Sequence, residues 1–306
     1  MRTYGAYGLE VQTALPWPGV PLEVARGADP VRVDVAEAGA IDGRWSGADA
    51  NAAVWSTPDS HGRPFELLRG PSGDHLMRYG DHARFWLAAD GRHLLCSPGR
   101  ELEAVWMREL LDTVLLCTAL LAGADLLHAS AVARHDRGVV LLGPSGAGKS
   151  TLAARLLATG WTLVADDAVR FTMAGSTVLA HPAPAVLNVP LAQWSGVGAA
   201  ATARATIGGE VWASPGRMAM DPLPLAAIVE LRRGGEGTTT CRRVAATVID
   251  LLPHALFLPG AETGLFATYA DVAVRVPLYR LSGGLAEPPR SYAEALMVAL
   301  GADQVL

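Results

Sequence analysis

Short runs of alternating apolar and polar residues fill the first hundred positions of the chain. The runs LEVQT, VRVDV, AVWST and ARFWLA are separated by turn-forming segments such as PWPG, PDSHG and PSGD. This period-2 pattern with frequent turns predicts a small antiparallel β unit. No catalytic constellation stands out there, and we expect the tryptophans to be core or interface residues: Trp17, Trp45, Trp55 and Trp86.

A long apolar segment follows. LLDTVLLCTALLAGADLL (110–127) is about as long as a membrane span but carries two aspartates, Asp112 and Asp125. Because the preceding ELEAVWMRE is polar and helix-forming, the pattern predicts one buried amphipathic helix over about 101–122. The opening MRTYGAYGLEV lacks the features of a signal peptide. We therefore expect a soluble, cytoplasmic protein with no membrane partner.

The pattern changes after residue 126 to strands that alternate with helices. LHASAVAR and GVVLLG predict two strands joined by a turn at HDRG, and TLAARLLATG predicts a helix that Gly160 ends. WTLVADDAVRF predicts a strand ending in two aspartates. Strand, glycine loop, helix and strand form a βαβ unit. The sequence thus predicts an α/β domain with a mixed sheet over 101–306, preceded by a β-rich domain over 1–100.

The last third of the chain alternates short apolar runs with turns. PLPLAAIVELRRGG and VPLYRLSGG predict strands, while VAATVIDLLPHALFL and SYAEALMVALGAD predict helices. Ser291 and Glu294 have the spacing of a capping box at the start of the last helix. The stretch 195–215 is rich in Gly, Ala and Thr and predicts a mobile loop, which we expect to close over an acceptor.

Composition narrows the function classes. Half of the 306 residues are apolar, 18% are charged and the formal net charge is −5, with no basic stripe. This composition indicates a globular chain and argues against a nucleic-acid partner. Three cysteines, Cys96, Cys117 and Cys241, lack CxxC spacing, which predicts free thiols and no metal cluster.

Residues 143–150 read GPSGAGKS and fit G-x-x-x-x-G-K-[ST] at every fixed position. The glycines let backbone N–H groups turn inward around an anion, and the following helix directs its positive end to the same place. The lysine supplies charge for phosphates, and the serine hydroxyl can ligate Mg²⁺. We predict that ATP and Mg²⁺ bind here, with the cofactor-binding residues Gly143, Pro144, Ser145, Gly146, Ala147, Gly148, Lys149, Ser150 and Thr151.

Two adjacent carboxylates, Asp166 and Asp167, end the predicted strand LVADD. Alternation along a strand would point them to opposite faces, which predicts different tasks. One would hold the metal, directly or through water, and the other would take a proton from an attacking hydroxyl. His128 lies in LLHAS before the preceding strand, where a core role and a functional role both stay open.

LLHAS, GPSGAGKST and VADD, in this order and spacing, resemble the catalytic domain of the HPr serine kinase/phosphorylase family. The resemblance covers about 128–171 and is closer to the shorter relatives that include lasso-peptide precursor kinases. It implies a fold related to phosphoenolpyruvate carboxykinase and active-site roles for His128, Asp166, Asp167 and Lys149. It also implies that Asp167 is the general base, while Asp166 supports metal together with Ser150; the reverse assignment of the two aspartates stays open.

The sequence departs from that family after the aspartates. HPr kinases carry an E-x-R-G-x-G signature there, whereas this chain reads HPAPAVLNVPLAQW. His181, Asn188 or Arg204 are the candidates to replace the signature. Without it, we expect neither the phosphorylase activity nor HPr itself as the substrate.

Three functions remain after this reading. The leading one is an ATP-dependent serine kinase whose partner is a peptide or small protein with an acceptor serine, bound by the β-rich domain. The alternatives are a kinase of a small-molecule hydroxyl and a nucleotide-switched binding module that transfers nothing. The resemblance also leaves a homo-oligomer open, since full-length HPr kinases are hexamers.

Overall fold

The chain folds as two compact units. The N-terminal unit comprises Met1–Ala124 with Leu258 and Pro259, and the second unit, here called the glycine-loop unit, begins at Asp125. The division thus falls after Ala124, later than the boundary at residue 100 that the sequence predicted. The computed structural model describes residues 1–19, 22, 29–45, 53–58, 64–80, 83–99, 103–197, 200–232, 239–259, 265–283 and 289–302.

The described residues of the N-terminal unit form an eight-stranded sheet of the order β1-β2-β3-β8-β7-β6-β5-β4. Its pairs are antiparallel except that β3 runs parallel to both β2 and β8. The predicted β unit is confirmed, but the sheet is mixed, because β3 follows a long connection rather than a hairpin turn. The strands are β1 Arg2–Ala6, β2 Leu9–Thr13, β3 Val31–Val35, β4 Ala53–Pro58, β5 Pro64–Arg69, β6 His75–Tyr79, β7 Ala83–Leu87 and β8 His93–Pro98, and helix α1 is Ala38–Asp42.

The predicted helix over 101–122 is confirmed and belongs to the N-terminal unit. Its middle turn is a π-helix, and the Tyr7 hydroxyl donates to the Leu111 carbonyl within it at 3.4 Å. Among the described residues, no helix is both long and apolar enough to cross a membrane. The segments are α2 Glu103–Glu109, the π turn Leu110–Val114 and α3 Leu115–Leu121.

The tryptophans of the N-terminal unit pack as predicted. Trp17 stacks on Tyr4 with 5.5 Å between ring centroids, and Trp55 meets Phe65 edge-on. The Trp86 indole N–H donates to the Asp74 carboxylate at 2.7 Å. The three predicted free thiols are also unpaired in the structure.

The glycine-loop unit holds a ten-stranded sheet among the described residues. Its main path is β12-β10-β11-β18-β14-β13-β9-β20, and β21 joins β18 to β19 beside it. The strands are β9 Leu126–Leu127, β10 Ser130–Arg134, β11 Arg137–Leu142, β12 Thr162–Ala165, β13 Val169–Ala174, β14 Thr177–His181, β18 Leu223–Arg232, β19 Thr240–Val244, β20 Ala255–Leu256 and β21 Leu278–Ser282. A separate three-stranded sheet is formed by β15 Leu187–Pro190, β16 Ala201–Ile207 and β17 Glu210–Pro215.

The predicted βαβ unit is confirmed, with one strand inserted. β11, helix α4 (Lys149–Leu157) and β12 follow one another in the chain, and β10 lies between the two strands, antiparallel to both. β11 also runs parallel to β18, so the sheet is mixed as predicted. Gly160 ends the helix region with a φ of 93°. Leu152 and Leu156 of α4 are fully buried in the core of this unit.

Two predictions for the last third of the chain are wrong. The stretch 195–215 is not a loop, because β16 and β17 form a hairpin through Gly208 and Gly209, which both have positive φ. Residues 198 and 199 of that stretch lie outside the described residues. VAATVIDLLPHALFL is not one helix: it contains the one-turn helix α5 (Val248–Leu251), a 3-10 turn (Leu252–His254) and strand β20, since Pro253 cannot continue an α-helix.

The other predicted elements of this part are present. β18 and β21 match the two predicted strands, and helices α6 (Leu265–Arg275) and α7 (Pro289–Ala302) complete the unit. Helix α7 begins at Pro289, a residue favoured in the first turn. Ser291 therefore lies inside the helix and cannot be its N-cap.

Candidate active site

The glycine loop (143–148) connects β11 to α4 and depends on its glycines for its shape. Gly143, Gly146 and Gly148 have φ values of 153°, 72° and 97°. Residues other than glycine rarely adopt these positive φ values. A Cβ on Gly143 would also lie 2.9 Å from the Ala147 Cβ, which is a clash. The loop can take this path only because these positions are glycine.

Lys149 is the single lysine of the sequence and is the first residue of α4, directly after the glycine loop. Its side chain is buried, and Nζ donates to the carbonyls of Gly143 at 3.0 Å and Pro144 at 3.4 Å. Burial lowers the lysine pKa, while the charges of Asp167 and Asp166 oppose this shift. Because a buried charge is unfavourable unless it is paired, this ammonium would be stabilised by an anion bound to the loop.

The other predicted loop residues divide by exposure. Pro144, Ser145 and Gly146 are exposed at the tip of the loop, whereas Ala147 and Thr151 are buried. The Ala147 N–H donates to the Pro144 carbonyl at 3.0 Å, which tightens the turn. The tip of the loop is thus open to a ligand and its base is packed into the core.

Asp166 follows β12 and is enclosed by donors. The Ser130 hydroxyl donates to its Oδ1 at 2.5 Å, and the Asn188 backbone N–H donates to its Oδ2 at 3.1 Å. The Ser150 hydroxyl forms a third hydrogen bond to this carboxylate. Burial, followed by the charge of Asp167, raises the Asp166 pKa to about 7, although all three hydrogen bonds oppose the shift. This carboxylate is fixed from three directions and shielded from water.

Asp167 has different surroundings from its neighbour. Its φ of 61° lies in the left-handed region, so the chain leaves the strand here and simple alternation of faces does not apply. The Asn188 side-chain amide donates to its Oδ2 at 2.6 Å, and the residue is half-buried. Asn188 therefore binds both carboxylates, through its backbone to Asp166 and through its side chain to Asp167. The surroundings of the two carboxylates differ because the backbone turns at Asp167, and the different tasks predicted for them stay a prediction.

His128 joins the same group of residues. It lies between β9 and β10, and its ring forms a hydrogen bond with the backbone of Asp167. The backbone N–H of His128 donates to the His254 carbonyl at 2.7 Å. Burial and the charge of Lys149 lower its pKa, and Asp167 opposes this. The predicted continuous strand LHASAVAR is thus interrupted at His128, whose ring lies within charge interaction of Lys149.

Of the three residues considered as replacements for the missing signature, only one is brought to the aspartates. Asn188 on β15 contacts both. His181 on β14 pairs its Nε2 with the Thr172 hydroxyl at 2.8 Å, and burial lowers its pKa to about 4. Arg204 on β16 donates to the Ser214 hydroxyl and lies over the Trp212 ring.

Sequence reasoning did not single out Ser130 or His254. Ser130 carries a weak signal, since a small polar residue follows the histidine by two positions in LLHAS. His254 follows a proline in an apolar run that reads as a helix, so the pattern hides it. No cluster of three or more histidine, cysteine or acidic side chains suited to a metal occurs in the described ranges.

Comparisons with known proteins place this site in a family context. Residues 94–197 match the family described as SynChlorMet cassette protein ScmC, and they include His128, the glycine loop, both aspartates and Asn188. The HPr kinase/phosphorylase of Xylella fastidiosa (strain M12) is 41% identical over 69 residues, or 22% of this chain. That of Aromatoleum aromaticum is 51% identical over 51 residues, or 17% of this chain. Over the residues matched by these two relatives, the chain is HPr kinase-like.

The HPr kinase-like match is local. It spans 22% and 16% of the lengths of those two relatives, so the chain covers less than a quarter of each. A solved structure titled "Structure of the Hpr(Ser) kinase/phosphatase from Coxiella burnetii" aligns over 58% of this chain and 98% of that chain, at 11% identity and a TM-score of 0.37. That score adds no support to the α/β fold, which the topology above establishes by itself.

Proposed function

We propose that the chain is an ATP-dependent serine kinase that acts on a peptide or small protein. One observation carries the proposal: the Asp166–Asp167 pair, tied together by Asn188, lies within charge interaction of Lys149 on the glycine loop. A loop that only binds a nucleotide needs no second carboxylate at this place. A kinase does, because a hydroxyl must lose its proton beside the terminal phosphate.

The donor side of the reaction is the glycine loop. Its turned backbone and Lys149 are suited to the phosphates of ATP, and the local match to HPr kinase/phosphorylases supports this assignment. Ser150 and Asp166 offer adjacent hydroxyl and carboxylate oxygens, the ligand type that Mg²⁺ prefers when phosphates complete its shell. These two residues would hold the ion, which would neutralise phosphate charge when bound.

The acceptor side is Asp167. Asp166 already receives three hydrogen bonds and is closed to solvent, whereas Asp167 is half-exposed and fixed by a single amide. Asp167 is therefore the carboxylate that a serine hydroxyl can reach. The serine Oγ attacks the γ-phosphorus, its proton passes to Asp167, and the bond from phosphorus to the ADP oxygen breaks. Phosphoserine and ADP are the products, and positioning and charge supply most of the rate.

The acceptor class rests on the family description. The matching family is described as a cassette protein, which supports an acceptor produced within the same cassette, and a peptide is the acceptor that the resemblance to lasso-peptide precursor kinases favours. Labelled ATP would be offered to serine peptides, to the same peptides with alanine in place of serine, and to a panel of hydroxylated metabolites. We expect label on the serine peptides alone, and label on metabolites alone would overturn the peptide assignment.

Asp167→Asn tests the catalytic proposal directly. Asparagine tolerates the left-handed backbone and keeps an oxygen for Asn188, so we expect the fold to survive. Loss of the base should lower phosphoryl transfer by about 10²–10⁴-fold with nucleotide affinity retained. Asp136→Asn is the matched control, since Asp136 has a nearly equal φ of 59° in an exposed hairpin turn. Transfer by Asp167→Asn at the control's rate would refute the role.

A further inference from the structure

His254 lies directly opposite His128 in the edge of the sheet. β20 pairs antiparallel with β9 through Ala255 opposite Leu127 and Leu256 opposite Leu126. One step further along this register places His254 opposite His128, and the hydrogen bond from the His128 N–H to the His254 carbonyl marks that pair. Residues opposite one another on antiparallel strands project their side chains from the same face. The two imidazoles are therefore neighbours.

The two positive groups that act on His254 belong to the candidate active site. Burial lowers its pKa, and the charges of Lys149 and His128 lower it further, while Glu230 opposes them. Glu230 is already shared between two arginines, since Arg280 and Arg232 each approach its carboxylate to 2.8 Å. The Lys149 ammonium and the two imidazoles thus lie within charge interaction of one another, and the carboxylate acting on His254 is occupied by other partners.

The backbone around His254 is anchored without a ligand. Thr247 and Asp250 form a capping box at the start of α5, and the Asp250 carboxylate lies 3.6 Å from Arg280 on β21. Pro253 then restricts the 3-10 turn that delivers His254 to β20. The residue is half-buried, so its ring is held in place and still accessible.

We propose that His254 is a further binding residue of this site and contacts the terminal phosphate of the bound nucleoside triphosphate, beside His128 and Lys149. An anion at this point would accept from these nitrogen groups and offset the repulsion that disfavours their charged forms. The proposal rests on the proposed function only in that a nucleoside triphosphate occupies the glycine loop. It does not require that the acceptor be a peptide.

Nucleotide selectivity measured by titration calorimetry tests the assignment. Affinities of the full chain for the Mg²⁺ complexes of ADP and of the non-hydrolysable ATP analogue AMP-PNP would be compared for wild type, His254→Ala and His254→Asn. Loss of a hydrogen bond to the charged phosphate should weaken AMP-PNP binding by about 10-fold or more. ADP binding should change by less than about 2-fold. His135→Asn is the control, because His135 is an exposed histidine in the β10–β11 turn.

The outcomes separate this proposal from the kinase proposal. Equal weakening of ADP and AMP-PNP by both variants, or no weakening of either, would overturn the contact with the terminal phosphate. If His254→Ala fails to fold, His254→Asn, which keeps a planar polar group shorter than imidazole, gives the same comparison. A selective loss of AMP-PNP binding would support the contact even if no acceptor were phosphorylated, and that second result alone would count against the kinase.

Discussion

The two units of this chain bury polar side chains in opposite ways. In the N-terminal unit the buried polar groups lie apart and have partners close by: Asp74 accepts from Trp86 on the neighbouring strand, and Thr118 donates to the Val114 carbonyl four residues earlier. Some of its charged side chains form partly exposed pairs, such as Arg78 with Glu66. The glycine-loop unit instead joins its buried polar residues into one cluster, which contains Lys149, Ser130, Asp166 and Asn188.

This difference shows where the sequence accepts a cost in stability. Burying a charge is unfavourable unless it is paired, and the pKa of Asp166 is raised because burial and the charge of Asp167 outweigh its three hydrogen bonds. No such concentration is needed in the N-terminal unit, whose core is built from contacts such as those of Phe65 with Tyr79 and Tyr79 with Phe85. The following substitutions test whether stability and phosphate binding are divided between the units in this manner.

Phe85→Ala should give the largest effect on stability. Phe85 is fully buried in the N-terminal sheet, and truncation of a core phenylalanine costs about 3–5 kcal/mol. Calorimetry should show an early melting transition of the N-terminal unit. AMP-PNP affinity measured below that transition should equal that of wild type, and a large loss would show that the comparison between the units is too simple.

Lys149→Ala should have the converse effect. We expect AMP-PNP affinity to fall about 100-fold, since the single lysine supplies the charge for the β- and γ-phosphates. The melting temperature without nucleotide should change little, because the substitution also removes a buried charge. Lys149→Arg keeps the charge but not the compact shape, and we expect affinity between the two. If Lys149→Ala bound AMP-PNP with wild-type affinity, the lysine would not contribute to phosphate binding.

Asp166→Asn should alter the pH dependence of stability. The folded-state pKa of Asp166 is raised to about 7, so between about pH 4 and pH 7 the folded state holds a proton that the unfolded state has released. That contribution to stability is present at low pH and is lost as the pH rises through 7. Relative to wild type, the variant should therefore gain on the order of 2 kcal/mol from pH 4.5 to 7.5. Denaturation would be measured at several pH values, and an equal change of the free energy of unfolding with pH in the two proteins would contradict the raised pKa.

Trp86→Phe should produce the smallest change. It removes the donor to Asp74 and leaves that buried carboxylate with one partner fewer, at a cost of about 1–2 kcal/mol. Trp17→Phe, which shortens a buried indole that stacks on Tyr4, is the control. Denaturant midpoints for the two variants should differ while nucleotide affinity stays constant in both. Equal midpoints would mean that the Trp86–Asp74 hydrogen bond contributes no net stability.

Local patterns predicted the elements around the glycine loop well. The strand before residue 143, the helix from 149 and the aspartates after β12 follow from a hydrophobic run, a glycine motif and a strand end, which are all contiguous in sequence. Prediction failed where a distant partner decides the structure. β16 and β17 look like a small-residue loop until β15 pairs with them, and 244–258 reads as a helix until β20 pairs with β9.

The sequence by itself determined the glycine loop, Lys149 and the presence of two carboxylates, because each is encoded by neighbouring residues. Tertiary structure alone decided what distinguishes Asp166 from Asp167, since Ser130 and Asn188 lie 36 and 21 residues away from the carboxylates they bind. It also placed His254 beside His128, across 126 residues of chain. Strand pairing brings such groups together, and no local period in the sequence records which strands will pair.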